Sequence, residues 1–415
     1  MADTVAEAVA EAHSTEWAFV LAATARVAAD LDLAEDCVQD AYAKALVHWR
    51  EQGVPRRPGA WLTTVATRRA LEHRRRAGVA AQKLPLLMPD PVDDEDLAAG
   101  VFPDDRLRLV FTCCHPALAQ EAQIALTLRL VCGLSSTEIA KAFLVKEATM
   151  QARITRAKHK ISRSRIAYRI PRLEDLPERI DAVLDVVHLV YTAGHTAADG
   201  DGLARPDLAR RGIELARMVR MLLPDSGEAA GLLGLLLLTQ ARQAARVDDA
   251  GQLVLMEDQD RTLWDRGQIA EGLELVHEAL AVNPTAPSAR VGRFGVMAAI
   301  AAVHAEAERW EDTDWAEILG LYDLLVERWP SPVVALNRVV ALSYVSGSEV
   351  ALTELQELAG DPALATYPYL ASTRAELLRR TGREAEAKAA YEEALAFTSN
   401  AVEADFLVRR LTRGA

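Results

Sequence analysis

Gln151, Arg153, Thr155, Arg156, Lys158 and Lys160 carry the hydrogen-bond donors and charges that read base edges and neutralise phosphates, provided that one helix face holds them together. The spacing supplies such a face. Met150, Ile154, Ala157 and Ile161 recur at i, i+4, i+7 and i+11, an apolar stripe that must pack inward and that turns the polar set, with Thr149 near its start, outward. The enclosing segment, Gly133 to Ile161 (GLSSTEIAKAFLVKEATMQARITRAKHKI), has helix-turn-helix spacing: a short helix with Ile139 and Ala140 inward, a tight turn at Leu144 to Lys146, and a longer second helix. Ser135 or Ser136 caps the first helix, with Glu138 in reach.

Other chemistry-bearing residues lead nowhere as far. Cys113, Cys114 and His115 are adjacent, an awkward ligand geometry, and no second pair at zinc spacing follows, so no metal is expected. His188 and His195 lie two turns apart without a nucleophile, paired base or phosphate loop around them. Asp199 to Leu203 (DGDGL) lacks the remaining positions of a calcium loop and reads as a turn. Neither enzyme activity nor a cofactor is expected.

The elements that position these residues follow from composition. Among 415 residues half are apolar, 5% aromatic and 26% charged, the balance of an Ala/Leu-rich, all-α globular protein with room for several cores. The four cysteines form no CxxC pair and no signal-like segment precedes them, which suits the cytoplasm. Ala229 to Leu238 and Phe294 to Val303 are about half of the ~20 residues that a membrane span needs and read as buried helices. Net charge is −13, but residues 1 to 170 sum to +2 and residues 171 to 415 to −15. In the first part the charges are blocked: Asp30 to Asp40 has five acids and no base, Arg50 to Arg76 eight bases and two acids, Asp90 to Asp105 seven acids and no base, and Lys141 to Arg169 nine bases and one acid. Two basic helical modules on an acidic, Pro-containing linker (Pro85 to Asp105) are expected, with helices near 13–29, 33–50, 58–77, 104–113, 119–132, 136–143 and 147–167. Further helices continue to the end, and Arg246 to Trp264 reads as an ordered loop between them.

Asp32 to Trp49 (DLAEDCVQDAYAKALVHW) followed by Arg57 to Arg76 (RPGAWLTTVATRRALEHRRR) resembles bacterial RNA polymerase sigma factors of the extracytoplasmic-function group, over residues of about 13 to 165. The resemblance implies that Asp32, Glu35, Asp36, Gln39 and Asp40 stay outside and dock on core RNA polymerase, while Leu33, Val38 and Leu46 face inward. It implies that Arg56, Arg57, Trp61, Thr64, Arg68, Arg69 and Arg75, with Arg74 and Arg76 beside them, meet the minus-ten element; Trp61 is a core residue or a base-stacking platform. The residues at 149–160 would then read the minus-thirty-five element. The connector would thread the polymerase's RNA-exit path as a mimic of the transcript. Arg68 stands where many relatives have Asn, and EATMQAR replaces the common EGTVKSR, so the promoter sequence does not carry over.

Ordinary members of that group end near residue 170. Here Thr381 to Phe397 (TGREAEAKAAYEEALAF) matches the second half of a tetratricopeptide repeat, with Gly382, Ala387, Tyr391 and Ala394 at the positions where helices nest, and Ile318 to Pro330 and Leu275 to Pro284 look like degenerate repeat ends. Together with Phe111 to Leu118, Asp201 to Leu208 and Met256 to Asp265 (MEDQDRTLWD), this resembles the subgroup with a C-terminal tetratricopeptide-like extension, which is thought to regulate the sigma factor. The expected organisation is sigma region 2 at 1–80, the acidic linker at 81–104, sigma region 4 at 105–170 and an irregular helical-repeat regulatory domain at 171–415. Expected partners are core RNA polymerase, promoter DNA and a protein or peptide ligand of the extension, with no membrane. Two other readings stay open: a free-standing helix-turn-helix regulator with a ligand-sensing solenoid, and a scaffold with a vestigial sigma part.

Overall fold

The computed structural model describes residues 2–81, 105–143, 145–164, 166, 168–172, 174–196, 202–281 and 291–413. The connector expected at 81–104 lies almost wholly outside them, as do Asp199 to Asp201 and Leu144 of the expected turn. Among the described residues the chain is all-α, with eighteen α-helices and one isolated antiparallel bridge, Val247 with Leu253. It divides into two compact units, Met1–Leu189 and Val190–Ala415.

The first unit begins with α1 (Ala2–Ala28), which starts eleven residues earlier than the expected helix, at 2 and not 13. Helix α2 (Leu31–Gln52) is capped by Asp30, whose carboxylate accepts from the Leu33 N–H at 2.7 Å, and ends at Gly53, whose φ of +82° suits glycine. Its inner stripe is Ala34, Cys37, Val38, Ala41, Ala45 and Trp49. Leu46, expected inside, is exposed, and Leu33 is half-buried, because the inward stripe lies one step further round the helix. Helix α3 (Pro58–Ala81) starts at proline, which needs no backbone donor there, and buries Leu62, Ala66 and Ala70.

The second basic module follows as α4 (Asp105–Cys113), α5 (Gln120–Leu126), a π turn (Thr127–Val131), α6 (Ser136–Ala142) and α7 (Glu147–Arg163). The single helix expected at 119–132 is thus interrupted by wider turns, and α7 stops at Arg163 and not 167. The π turn matters for packing: Leu130 offers its carbonyl to the Trp17 indole N–H of α1 at 3.0 Å. Gly133, with φ of +71°, lies where a Cβ would stand 2.9 Å from the Trp17 ring. Tyr168 donates to Ala22 O at 3.0 Å and Arg26 pairs with Asp105. Helix α1 therefore packs on α2 and α3 and also on α4 and the π turn, so the two basic modules belong to one compact unit.

Helix α8 (Leu176–His195) straddles the division. The second unit comprises α9 (Pro206–Leu222), α10 (Gly227–Gln240), α11 (Arg266–Leu280), α12 (Arg293–Glu306), α13 (Trp315–Arg328), α14 (Pro332–Ser346), α15 (Ser348–Leu358), α16 (Pro368–Arg380), α17 (Glu384–Phe397) and α18 (Ala401–Arg413). Helix α10 is apolar all round and buried from Ala229 to Leu238, as expected of a central core helix. A Cβ on its Gly231 would lie 2.6 Å from the Gly295 backbone nitrogen, so the absence of a side chain lets α10 and α12 touch. Arg246 to Trp264 is the expected ordered loop, built from short turns and tied down where the Asp265 N–H donates to Ala241 O at 2.9 Å.

Three arginines lie around that loop. Arg246 donates to His195 O and to Thr196 Oγ1 (3.2 Å); Arg261 donates to His304 O (2.8 Å) and Ala307 O; and Arg242 is near enough to feel the like charge of both. Desolvation, then Arg246 and Arg242, push His195 down to about 3, and desolvation, then Arg242 and Arg261, push His304 down to about 4. Both rings are neutral in the fold but gain protons near pH 6.5 in the unfolded chain. The second unit therefore loses stability as pH falls from about 6.5 towards 4, by about 1.4 kcal/mol per pH unit for each ring. Urea midpoints at about pH 7 and about pH 5 should show the loss, and H304N should flatten it; an equal slope in both proteins would contradict the assignment.

Candidate nucleic-acid interface

The helix-turn-helix is set by its ends and its inner stripe. Ser135 is the cap: its hydroxyl accepts from the Glu138 N–H at 3.1 Å while the Glu138 carboxylate accepts from the Ser135 N–H at 2.7 Å, a reciprocal capping box. Ile139, Ala140, Met150, Ile154, Ala157 and Ile161 are all buried. With that stripe inward, Thr149, Gln151, Thr155, Arg156 and Lys160 stand exposed on α7. Gln151 donates to Glu147 Oε1 at 3.0 Å, Arg156 Nε to Ala152 O at 3.1 Å, and Lys160 to Ala117 O.

Two of the expected readers are not free. Arg153 pairs with Glu121 at 2.7 Å. Lys158, expected to face outward, has a side chain only 11% exposed, with Nζ 2.7 Å from both Asp32 Oδ1 and Glu35 Oε2. Burial alone would lower the Lys158 pKa, but Glu35 and Asp32 outweigh it and raise it, so the ammonium is held charged.

The same contact corrects the expectation that Glu35 lies outside on α2. Glu35 is 4% exposed and its carboxylate also pairs with Arg129 of the π turn. Asp32, Asp36 and Gln39 are exposed and Asp40 is partly so, bonded to Arg69 at 2.8 Å. Arg129 was not singled out from the sequence; an isolated arginine in an apolar stretch, QIALTLRLVCG, was the available signal.

On α3 and the loop before it, Arg56, Arg57, Thr64, Arg68 and Arg75 are exposed. Arg74, also exposed, donates to Val27 O at 2.9 Å. Trp61 is half-buried, its ring 5.4 Å from His48 and edge-on to Trp49 at 5.6 Å. Beside it lies an open recess of about 570 Å³ lined by Asp40, Lys44, His48, Glu51, Trp61 and Arg69. An aromatic wall, a lysine and an arginine can receive an unstacked base there.

Among the described residues no group of three His, Cys, Asp or Glu is placed to hold a metal. Cys113 and Cys114 are buried thiols; desolvation pushes Cys114 up to about 12 although Thr127 lies 3.5 Å away. No helix among the described residues is long and apolar enough to cross a membrane.

Residues 18–79 match sigma-70 region 2, residues 108–161 match sigma-70 region 4, and residues 179–280 match a family of unknown function (DUF6596). The chain is 41% identical over 388 residues to an uncharacterized protein of Rhizobium meliloti (strain 1021), covering 92% of this chain and 90% of that one. With a sigma-70 region 2 that carries exposed arginines and a sigma-70 region 4 that ends in a capped helix-turn-helix, the chain has the two domains that mark an RNA polymerase sigma factor.

Proposed function

We propose that this chain is a sigma factor of the extracytoplasmic-function type that directs core RNA polymerase to promoters, with its helical C-terminal unit, of tetratricopeptide-like character, regulating it in the cytoplasm. The observation that carries this reading is α7, whose buried stripe presents Thr149, Gln151, Thr155 and Arg156 on a capped helix, together with the arginines of α3 in the same unit. In this reading α7 reads the minus-thirty-five element, Arg56, Arg57, Trp61, Thr64, Arg68, Arg69 and Arg75 bind and open the minus-ten element, and Asp32, Asp36, Gln39 and Asp40 dock on polymerase, joined by Glu35 and Lys158 once that ion pair parts. The acidic residues from Asp93 to Asp96 mimic RNA in the exit path, and the repeats hold a peptide or protein ligand.

Run-off transcription with core polymerase and the full chain tests it. Initiation at new promoters is expected. Tight duplex binding without polymerase, and no new start with it, would instead favour a free-standing regulator. Arg156 is the cleanest probe because it makes no ion pair with a described residue: R156A should weaken promoter affinity by about 1–3 kcal/mol at fixed salt if it reads a base. Unaltered affinity would place the reading face elsewhere.

A further inference from the structure

The arginines around the Arg246–Trp264 loop bring many donors together in the second unit. Arg242 makes no hydrogen bond or ion pair with a described residue; its guanidinium carbon lies 6.0 Å from the Trp264 ring, and that of Arg261 lies 4.6 Å from the same ring. Arg246, four residues beyond Arg242 across a short 3-10 turn, spends its donors on uncharged oxygens of His195, Gln243 and Thr196. Glu403 acts on Arg246 and Glu311 and Asp312 act on Arg261 at a distance, but none forms an ion pair with them, and among the described residues no carboxylate acts on Arg242.

Three further polar atoms at this place are buried without a partner. They are Arg261 Nη2, the indole Nε1 of Trp264 and Nδ1 of His304, in residues of which Arg261 is 9% exposed and Trp264 2%. Two are obligate donors and the third belongs to a neutral imidazole, which can donate. Like charges held together in a partly desolvated place, with unused N–H groups and no counter-ion, are costly unless an anion completes them.

We infer that Arg242, Arg246 and Arg261, with Trp264 and His304, form a binding site for an oxyanion, the phosphate or carboxylate group of a small molecule. Arg242 supplies the planar fork that bonds two anion oxygens, and Arg261 and the Trp264 indole supply the remaining donors. Arg246 contributes field more than contact, since its donors are engaged. The site lies within Val190–Ala415, and its occupancy does not depend on how the first unit meets DNA.

Thermal unfolding of the full chain in inorganic phosphate and, separately, in acetate tests the site, each against sodium chloride of equal ionic strength. At about a hundred times Kd an anion that fills the site should raise the melting temperature of the second unit by about 5–10 °C. The arm that responds names the anion. In anion-free buffer R242L should melt no lower than the parent, because it removes an uncompensated cation, and its response to the anion should disappear. R242K keeps the charge without the fork and should need about tenfold more anion for the same shift. No shift with either anion overturns the site. So does a shift that survives in R242L, or an R242K midpoint equal to the parent's.

Discussion

Replacing Glu35 with alanine is expected to destabilise the Met1–Leu189 unit by about 3–5 kcal/mol, the cost of stripping a buried ion pair of one partner. Glu35 is the common anion for Arg129 of the π turn and Lys158 of α7, and both cations are themselves largely covered. Without it Arg129 has no other ion-pair partner among the described residues, and Lys158 is left with Asp32, whose side chain is 64% exposed and solvent-screened. Urea unfolding followed by tryptophan fluorescence measures the effect. E121A provides the contrast, since that carboxylate is 73% exposed and its pairing with Arg153 should contribute less than about 1 kcal/mol. Equal midpoints for the two variants would mean that Glu35 is solvated in solution. The pairing also bears on the proposed function: under that reading Lys158 meets a promoter and Asp32 and Glu35 meet polymerase, and here they are occupied with one another, so that use of any of them requires the pair to part.

The second large effect is expected at Trp49. This side chain is 1% exposed, one of the largest fully buried in the chain, and packs edge-on against Trp61 where α2 meets α3. W49A should cost about 3–5 kcal/mol, since the cavity left between two long helices closes poorly. W49F should cost much less, because the Trp49 indole nitrogen has no hydrogen-bond partner to lose. Loss of the wall behind Trp61 should also weaken single-stranded minus-ten oligonucleotide binding in W49A, read by fluorescence anisotropy at a temperature where the variant remains folded. A W49A protein as stable as the parent would show that the interface of α2 and α3 is held from elsewhere.

The helical class, the α7 stripe and the capping box were legible because each rests on residues within a few turns of one another. Met150, Ile154, Ala157 and Ile161 occupy one face of any helix they form, and Ser135 and Glu138 are three residues apart. The position of Glu35 was not legible. A helical wheel places it with the outward acids of α2, and what draws it inside is Arg129 and Lys158, 94 and 123 residues further along. Leu46 was misplaced for a smaller reason of the same kind: Ala45 and Trp49 fill the interface, leaving Leu46 at its rim. Arg242 and Arg261 are not legible either, because an arginine in an acidic domain reads as solvated charge, whereas both end beside the ring of Trp264.

Helix α1 presents one side to α2 and α3 and another to α4 and the π turn, with Trp17, Val20, Leu21 and Ala25 buried along it. A helix shared in this way couples the melting of both modules. Region 4 cannot leave region 2 without wetting that second side, so separation resembles partial unfolding more than the swing of two beads on a string. The state in which the modules are apart is thermodynamically incomplete by itself, and whatever stabilises it must do so by covering apolar surface as well as by meeting charge.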